Sequence, residues 1–261
     1  MTEWNASEYD RLSALQASMA EEALSLLKLK GDERILDIGC GNGKTTAAVA
    51  ARVPNGAVTG VDASADMIAF AKEHWIPAHP NLDFAVADAR RLPFHQEFDR
   101  IVSFNALHWI PDQALPLQAM HAAIKPDGIA QLRLVPKGAR KSIEDVIEET
   151  RLLPRWAGSF KNFHDPYLHL TPQQYAKLAE EQGFRVDSNH MTDKAWDFQS
   201  RASFEAFSKV TMIEWTQHVP ENQRPAFITD VLDRYQHVAT SAPGEENYFR
   251  FYQMDIVLWP R

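Results

Sequence analysis

The stretch Ile35-Leu36-Asp37-Ile38-Gly39-Cys40-Gly41-Asn42-Gly43-Lys44-Thr45-Thr46 decides the fold. A short run suited to a buried strand, with one acid in it, enters a turn that has glycine at every second position, and a helical segment follows. Glycine has no Cβ, so such a turn lets a ligand approach the backbone at the carboxyl end of the strand. Three ligand classes use turns of this kind, and spacing separates them. The phosphate-loop pattern Gly-x-x-x-x-Gly-Lys-Ser/Thr is tempting at Gly43-Lys44-Thr45, but its first glycine would fall on Ile38. The dinucleotide pattern Gly-x-Gly-x-x-Gly, begun at Gly39, needs glycine where Lys44 stands. Asp37 adds an electrostatic argument: a carboxylate just before the turn repels a pyrophosphate and favours an ammonium or sulfonium.

S-Adenosylmethionine carries both of those cations and no phosphate, which makes it the best candidate ligand. Two more acids fall where it needs them. Asp62 closes the strand read at Ala57–Asp62, near the usual distance of about 20 residues for an acid that accepts both ribose hydroxyls, with Ala63 beside it. Asp88 closes the strand read at Asp83–Asp88, where its carboxylate suits the adenine amino group while the backbone N–H of Ala89 faces a ring nitrogen.

Outward from the turn, strand and helix signals alternate. A helix over residues 12–29 places Leu12, Leu15, Met19, Ala23, Leu26 and Leu27 on one face. Strands at Arg34–Ile38, Ala57–Asp62, Asp83–Asp88, Phe98–Asn105 and Gly128–Val135 alternate with helices starting at Thr45, Ser64 and Gln113, with a turn at Lys125-Pro126-Asp127-Gly128. This rhythm predicts an α/β fold with a mostly parallel sheet and helices on both faces. After Val135 it changes: a helix over Ser142–Leu153 and a loop with Trp156, Phe160, Phe163 and Tyr167 read as a helical cap. A helix at Thr171–Gln182, a strand at Phe184–Asn189, two helices across Ser200–Ala239 and a final strand within Tyr248–Trp259 complete the chain. The expected division is 1–30 as a helical segment closing over the ligand, 31–136 as the binding core, 137–170 as the inserted cap, and 171–261 as the rest of the core with the acceptor-side helices.

Composition bounds the function. The chain has 261 residues, 45% hydrophobic and 24% charged, as ordinary folded domains do. A net charge of −8 without a basic stripe disfavours nucleic acid. No apolar run reaches the roughly 18 residues of a membrane helix, and no signal-type start precedes the first helix, so no membrane association and a cytoplasmic location are expected. Cys40 is the sole cysteine and the histidines lack a metal-ligand spacing, so neither redox nor metal chemistry is expected.

Asp37–Gly43, Gly60-Val61-Asp62, Asp88 and Phe98-Asp99-Arg100-Ile101-Val102 resemble, in order and spacing, the successive motifs of class I S-adenosylmethionine-dependent methyltransferases, over roughly residues 32–135. The resemblance implies a Rossmann-like sheet whose last strand runs antiparallel, with S-adenosyl-L-homocysteine as the product of the donor. Trp4, Asn5, Tyr9, Gln16 and Asn105-Ala106-Leu107-His108-Trp109-Ile110-Pro111-Asp112 further resemble the trans-aconitate and juvenile hormone acid methyltransferase group, which methylates small carboxylic acids. It implies Tyr9 near the donor, Asn105 beside its methionine portion, and Gln16 and Trp109 near the acceptor carboxylate. A carboxylate is ionised at neutral pH and needs no base. A hydroxyl, amine or carbon acceptor needs one, and His108 is then the nearest candidate. A nicotinamide-dependent oxidoreductase on the same sheet and a non-catalytic cofactor-binding subunit are the competing readings, and a monomer or homodimer is expected.

Overall fold

The computed structural model describes residues 14–165 and 168–261. Seven strands form one sheet: β1 Arg34–Ile38, β2 Ala57–Asp62, β3 Leu82–Val86, β4 Phe98–Phe104, β5 Ile124–Leu134, β6 Phe184–Asp197 and β7 Tyr248–Pro260, in the spatial order β3-β2-β1-β4-β5-β7-β6. β1 to β5 pair in parallel, and β7 inserts antiparallel between β5 and β6. The expected α/β sheet with its last strand reversed is therefore present. Among the described helices none is long and apolar enough to cross a membrane.

The order places the site. The chain steps outward from β1 to β2 and β3, then returns to lay β4 on the other side of β1. The loops leaving β1 and β4 diverge there, opening a crevice at the carboxyl ends of the strands. Helices α1 Ala14–Leu26, α2 Lys44–Ala50 and α3 Ala65–Trp75 belong to one face, where Leu27, Val49, Ile68 and Phe84 share a buried cluster with Ile35 and Val102. On the other face, α4 Ala114–Ala123 and α6 Pro172–Glu181 contribute Leu117, Met120 and Tyr175 to a cluster with Leu36, Ile101 and Leu132. Ser64 caps α3, accepting the Met67 N–H at 3.2 Å, as its place before the apolar run implies.

A third cluster lies above the crevice. It joins α5 Ile143–Arg151, the 3-10 turn Ala157–Phe160, α7 Arg201–Thr211, α8 Ile213–Thr216 and α9 Arg224–Ala239 through Ile147, Trp156, Phe204, Trp215 and Phe227. In α5, Ile143, Val146, Ile147 and Thr150 are buried at helical spacing, and Ser142 and Asp145 form a reciprocal capping box. The helix after β5 and those between β6 and β7 thus pack as one body.

Several elements differ from the sequence reading, among them the two helices read across Ser200–Ala239, which are three, α7, α8 and α9. β3 stops at Val86, because past it Asp88 bonds locally, accepting the Arg91 N–H on its carbonyl and the Arg90 N–H on its side chain. β6 runs eight residues beyond Asn189, to Asp197; the polar stretch from His190 stays extended because β7 supplies a backbone ladder along its whole length. Lys125–Gly128 is a bulge within β5 rather than a lead-in to it, with Ile124 already paired to Phe98 before the register shifts.

Candidate active site

The turn after β1 is held from below by β2. The N–H groups of Gly39 and Cys40 both donate to the Val61 carbonyl, at 2.8 and 3.0 Å, and the Gly41 N–H donates to Asp62 Oδ2 at 2.9 Å. Asp62 Oδ1 accepts the Ser64 N–H at 2.9 Å, so its carboxylate is fixed at both oxygens. A side chain at Gly39 would collide with Ala106 from the β4 loop, and one at Gly43 would meet Phe84 and Ala71, at 2.6 and 2.8 Å. At Gly41 a Cβ would meet nothing within 4 Å, so the turn presents open space there. Gly43, expected at the ligand, is instead turned toward the α3–β3 packing and is not part of the cavity wall.

Around this turn lies a cavity of about 1010 Å³, lined by Asp37, Gly39, Gly41, Asp62, Ala63, Asp88, Ala89, Asn105, His108 and Trp109 together. Asp37 is buried and accepts the Thr46 hydroxyl at 2.7 Å. Burial pushes its pKa up to about 7, the Thr46 bond opposes the rise, and the Asp62 charge adds to it. Asn105 sits at φ +57° with its N–H on the Arg133 carbonyl, and its buried Oδ1 has no hydrogen-bond partner. Asp88 is engaged by Arg90 through the side chain, Nε and Nη2 reaching both carboxylate oxygens at 2.7 to 3.0 Å, which holds its pKa below the usual range. His108 is buried, accepts the Val135 N–H on Nδ1 at 3.4 Å, and lies 6.1 Å from the His169 ring. Burial, and secondarily the charge of His169, lowers its pKa to about 3.

These features fit the expected donor. The Gly41 opening suits close backbone approach, Asn105 Oδ1 is an unmet acceptor suited to an ammonium, and Asp37 with Asp62 makes the crevice favourable to positive charge. Not every expected residue can be placed: Tyr9 and Tyr167 lie outside the described residues, and of Gln16 only the backbone, within α1, is described. Trp156 and Phe160 point into the helical cluster, edge-on and tilted against Phe227, rather than into the cavity. Phe163 packs edge-on against Phe160. The aromatic side chains that do reach the cavity beyond His108 and Trp109 include Phe207, Trp215 and Phe249, which sequence reasoning missed. The signal available was the spacing of Phe204 and Phe207, one turn apart on α7.

Residues 35–128 match the family described as "Methyltransferase domain". Over 252 residues the chain is 27% identical to a trans-aconitate 2-methyltransferase of Shigella flexneri serotype 5b, covering 95% of this chain and 93% of that protein. The chain carries a methyltransferase domain. Among solved structures, the geranyl diphosphate C-methyltransferase of Streptomyces coelicolor A3(2), in complex with S-adenosylhomocysteine, matches this methyltransferase with a TM-score of 0.58 at 13% identity, over 97% of this chain and 82% of the other. The phosphoethanolamine N-methyltransferase 2 of Haemonchus contortus, also with S-adenosylhomocysteine, gives 0.64 at 17%, over 98% of this chain and 57% of that one. These likenesses establish the fold. The oxidoreductase and non-catalytic readings give way to the methyltransferase.

Proposed function

We propose that this methyltransferase transfers the methyl group to a carboxylate oxygen of a small organic acid. The observation that carries the reading is the state of His108. Burial drives its pKa down to about 3 and Nδ1 accepts the Val135 N–H, so the lone pair a general base would use is engaged inside the protein. A group of that kind suits an acceptor that arrives already ionised. The 27% identity to trans-aconitate 2-methyltransferase agrees with it.

In this reading Asp62 holds the ribose diol, and Asp37 and Asn105 hold the methionine ammonium. Asp88 takes the adenine amino group once Arg90 yields an oxygen, with the Ala89 N–H alongside. α1 closes over the donor, and the resemblance assigns Tyr9 to the donor and Gln16, with His108 and Trp109, to the acceptor. The donor supplies a methyl group on a cationic sulfur. The carboxylate oxygen forms the new O–C bond as the S–C bond breaks, the electron pair stays on sulfur, and no proton moves. The chain's task is alignment and exclusion of water.

The test is a screen of small acids, phenols and amines with labelled S-adenosylmethionine, scored by product mass, followed by kinetics of His108→Ala on the best acid. Losing one hydrogen bond to a charged acceptor is worth roughly 1.5 kcal/mol or more, so KM should rise about tenfold while kcat changes little. Methylation confined to phenols or amines, with kcat abolished in His108→Ala, would restore the general-base reading.

A further inference from the structure

We propose that Arg90 is a specificity-determining residue of the donor site: it competes with the donor's 6-amino group for Asp88, which loosens the hold on adenine and lets a 6-oxopurine enter in its place. The inference rests on the reading of Asp88 as the adenine acceptor and deepens it.

Asp88 is already filled. Arg90 donates its backbone N–H and Nε to Oδ1, each at 2.9 Å, and Nε and Nη2 to Oδ2 at 3.0 and 2.7 Å. A carboxylate has about four acceptor positions on its two oxygens, and these contacts use them all. Both residues line the cavity and belong to one turn, closed by the Arg91 N–H on the Asp88 carbonyl at 2.8 Å. The Ala87 N–H on the Asp62 carbonyl, at 2.9 Å, fastens that turn to the end of β2. An arriving base therefore meets the pair, not a bare carboxylate.

An amino group reaches Asp88 only by displacing one of these donors. The turn fixes the backbone N–H, so the forked side chain is the part that leaves. Its guanidinium keeps an anion nearby, because the charge of Asp112, between β4 and α4, acts on Arg90 after that of Asp88. The paired side chains are 39% and 26% exposed, and an ion pair so open to water is worth little, so the exchange is feasible. A 6-oxopurine presents a carbonyl where adenine presents an amino group. Asp88 alone repels that oxygen, whereas Arg90 held in place offers it N–H donors. Arg90 thus tempers the selectivity that Asp88 by itself would impose. S-Adenosylhomocysteine carries the same base, so the competition favours departure of the product as well.

Calorimetry measures the affinities of S-adenosylhomocysteine and its 6-oxo counterpart, S-inosylhomocysteine, for wild type, Arg90→Ala, Arg90→Lys and Asp88→Ala, with each fold checked by circular dichroism. Arg90→Ala should bind S-adenosylhomocysteine about three- to fivefold tighter and S-inosylhomocysteine about threefold weaker, so the ratio between them widens about tenfold. The tightening should shrink toward unity between about 50 and about 500 mM salt, where an open pair is screened; a residue that merely shaped the turn would show no such trend. Arg90→Lys keeps the charge without the fork, should fall in between, and carries the comparison if the alanine variant does not fold. Asp88→Ala should weaken S-adenosylhomocysteine by at least about threefold. Equal or weaker binding of S-adenosylhomocysteine to the Arg90 variants, with Asp88→Ala weakened, overturns this inference and leaves the adenine reading standing. Undiminished binding to Asp88→Ala overturns both.

Discussion

Asp37 is a carboxyl group shut away from water, and in the proposed reading its protonation links folding to donor capture. Unfolded, it ionises near its ordinary value of 3.8; folded, burial holds the proton until about pH 7. Between those values the folded state binds a proton that the unfolded state does not, so the stability this group contributes is present at low pH and is lost as pH rises through about 7. Asp37→Asn removes that dependence: thermal melts from pH 4 to 8 should show wild type losing stability relative to the variant as pH climbs, and parallel curves would contradict the assignment. Donor affinity should run the other way, because an ammonium prefers the ionised carboxylate. Titrations with S-adenosylhomocysteine should tighten through pH 7 in wild type and stay level in the variant.

At the scale of elements, the attachment of α1 has the largest consequence. Arg133 on β5 is 1% exposed and forks onto Asp255 of β7 at 2.7 and 3.0 Å, while Nη1 reaches the Met19 carbonyl and Glu22 of α1. Lys194 of β6 completes the group on Glu22 at 2.5 Å. Losing the charge-assisted hydrogen bonds of a buried guanidinium costs about 3 kcal/mol, and a domain of this size loses roughly 2–4 °C per kcal/mol. Arg133→Leu should therefore melt about 6–12 °C lower by calorimetry, and Arg133→Leu with Asp255→Leu should regain most of the loss. Little of this was legible beforehand. The glycine turn and Asp62 were, because strand-turn-helix spacing is a local pattern. Arg133 sits in an otherwise apolar strand end and finds partners on two other elements, and the exposed end of β6 exists only because β7 pairs with it. Trp156 and Phe160 were legible as apolar but not in direction, since only α9 determines what they face.

For the molecule as a whole, the cavity draws on the loops after β1, β2, β3 and β4, and its occupation by the proposed donor should tighten the entire sheet. A ligand at 100 times its Kd stabilises by about 2.7 kcal/mol, so saturating S-adenosylhomocysteine should raise the melting temperature by roughly 5–10 °C while NAD leaves it unchanged. A shift with NAD and none with S-adenosylhomocysteine would mean the crevice has been assigned to the wrong nucleoside.

The placement of β7 between β5 and β6 also orders events during synthesis. A chain emerging from the ribosome has every strand bordering the glycine turn once β5 is made, yet the wall around Phe249 and Phe251 waits for the last strand to slot into the gap. Chain order thus completes the strands around the glycine turn before the aromatic strand that closes the chamber is made.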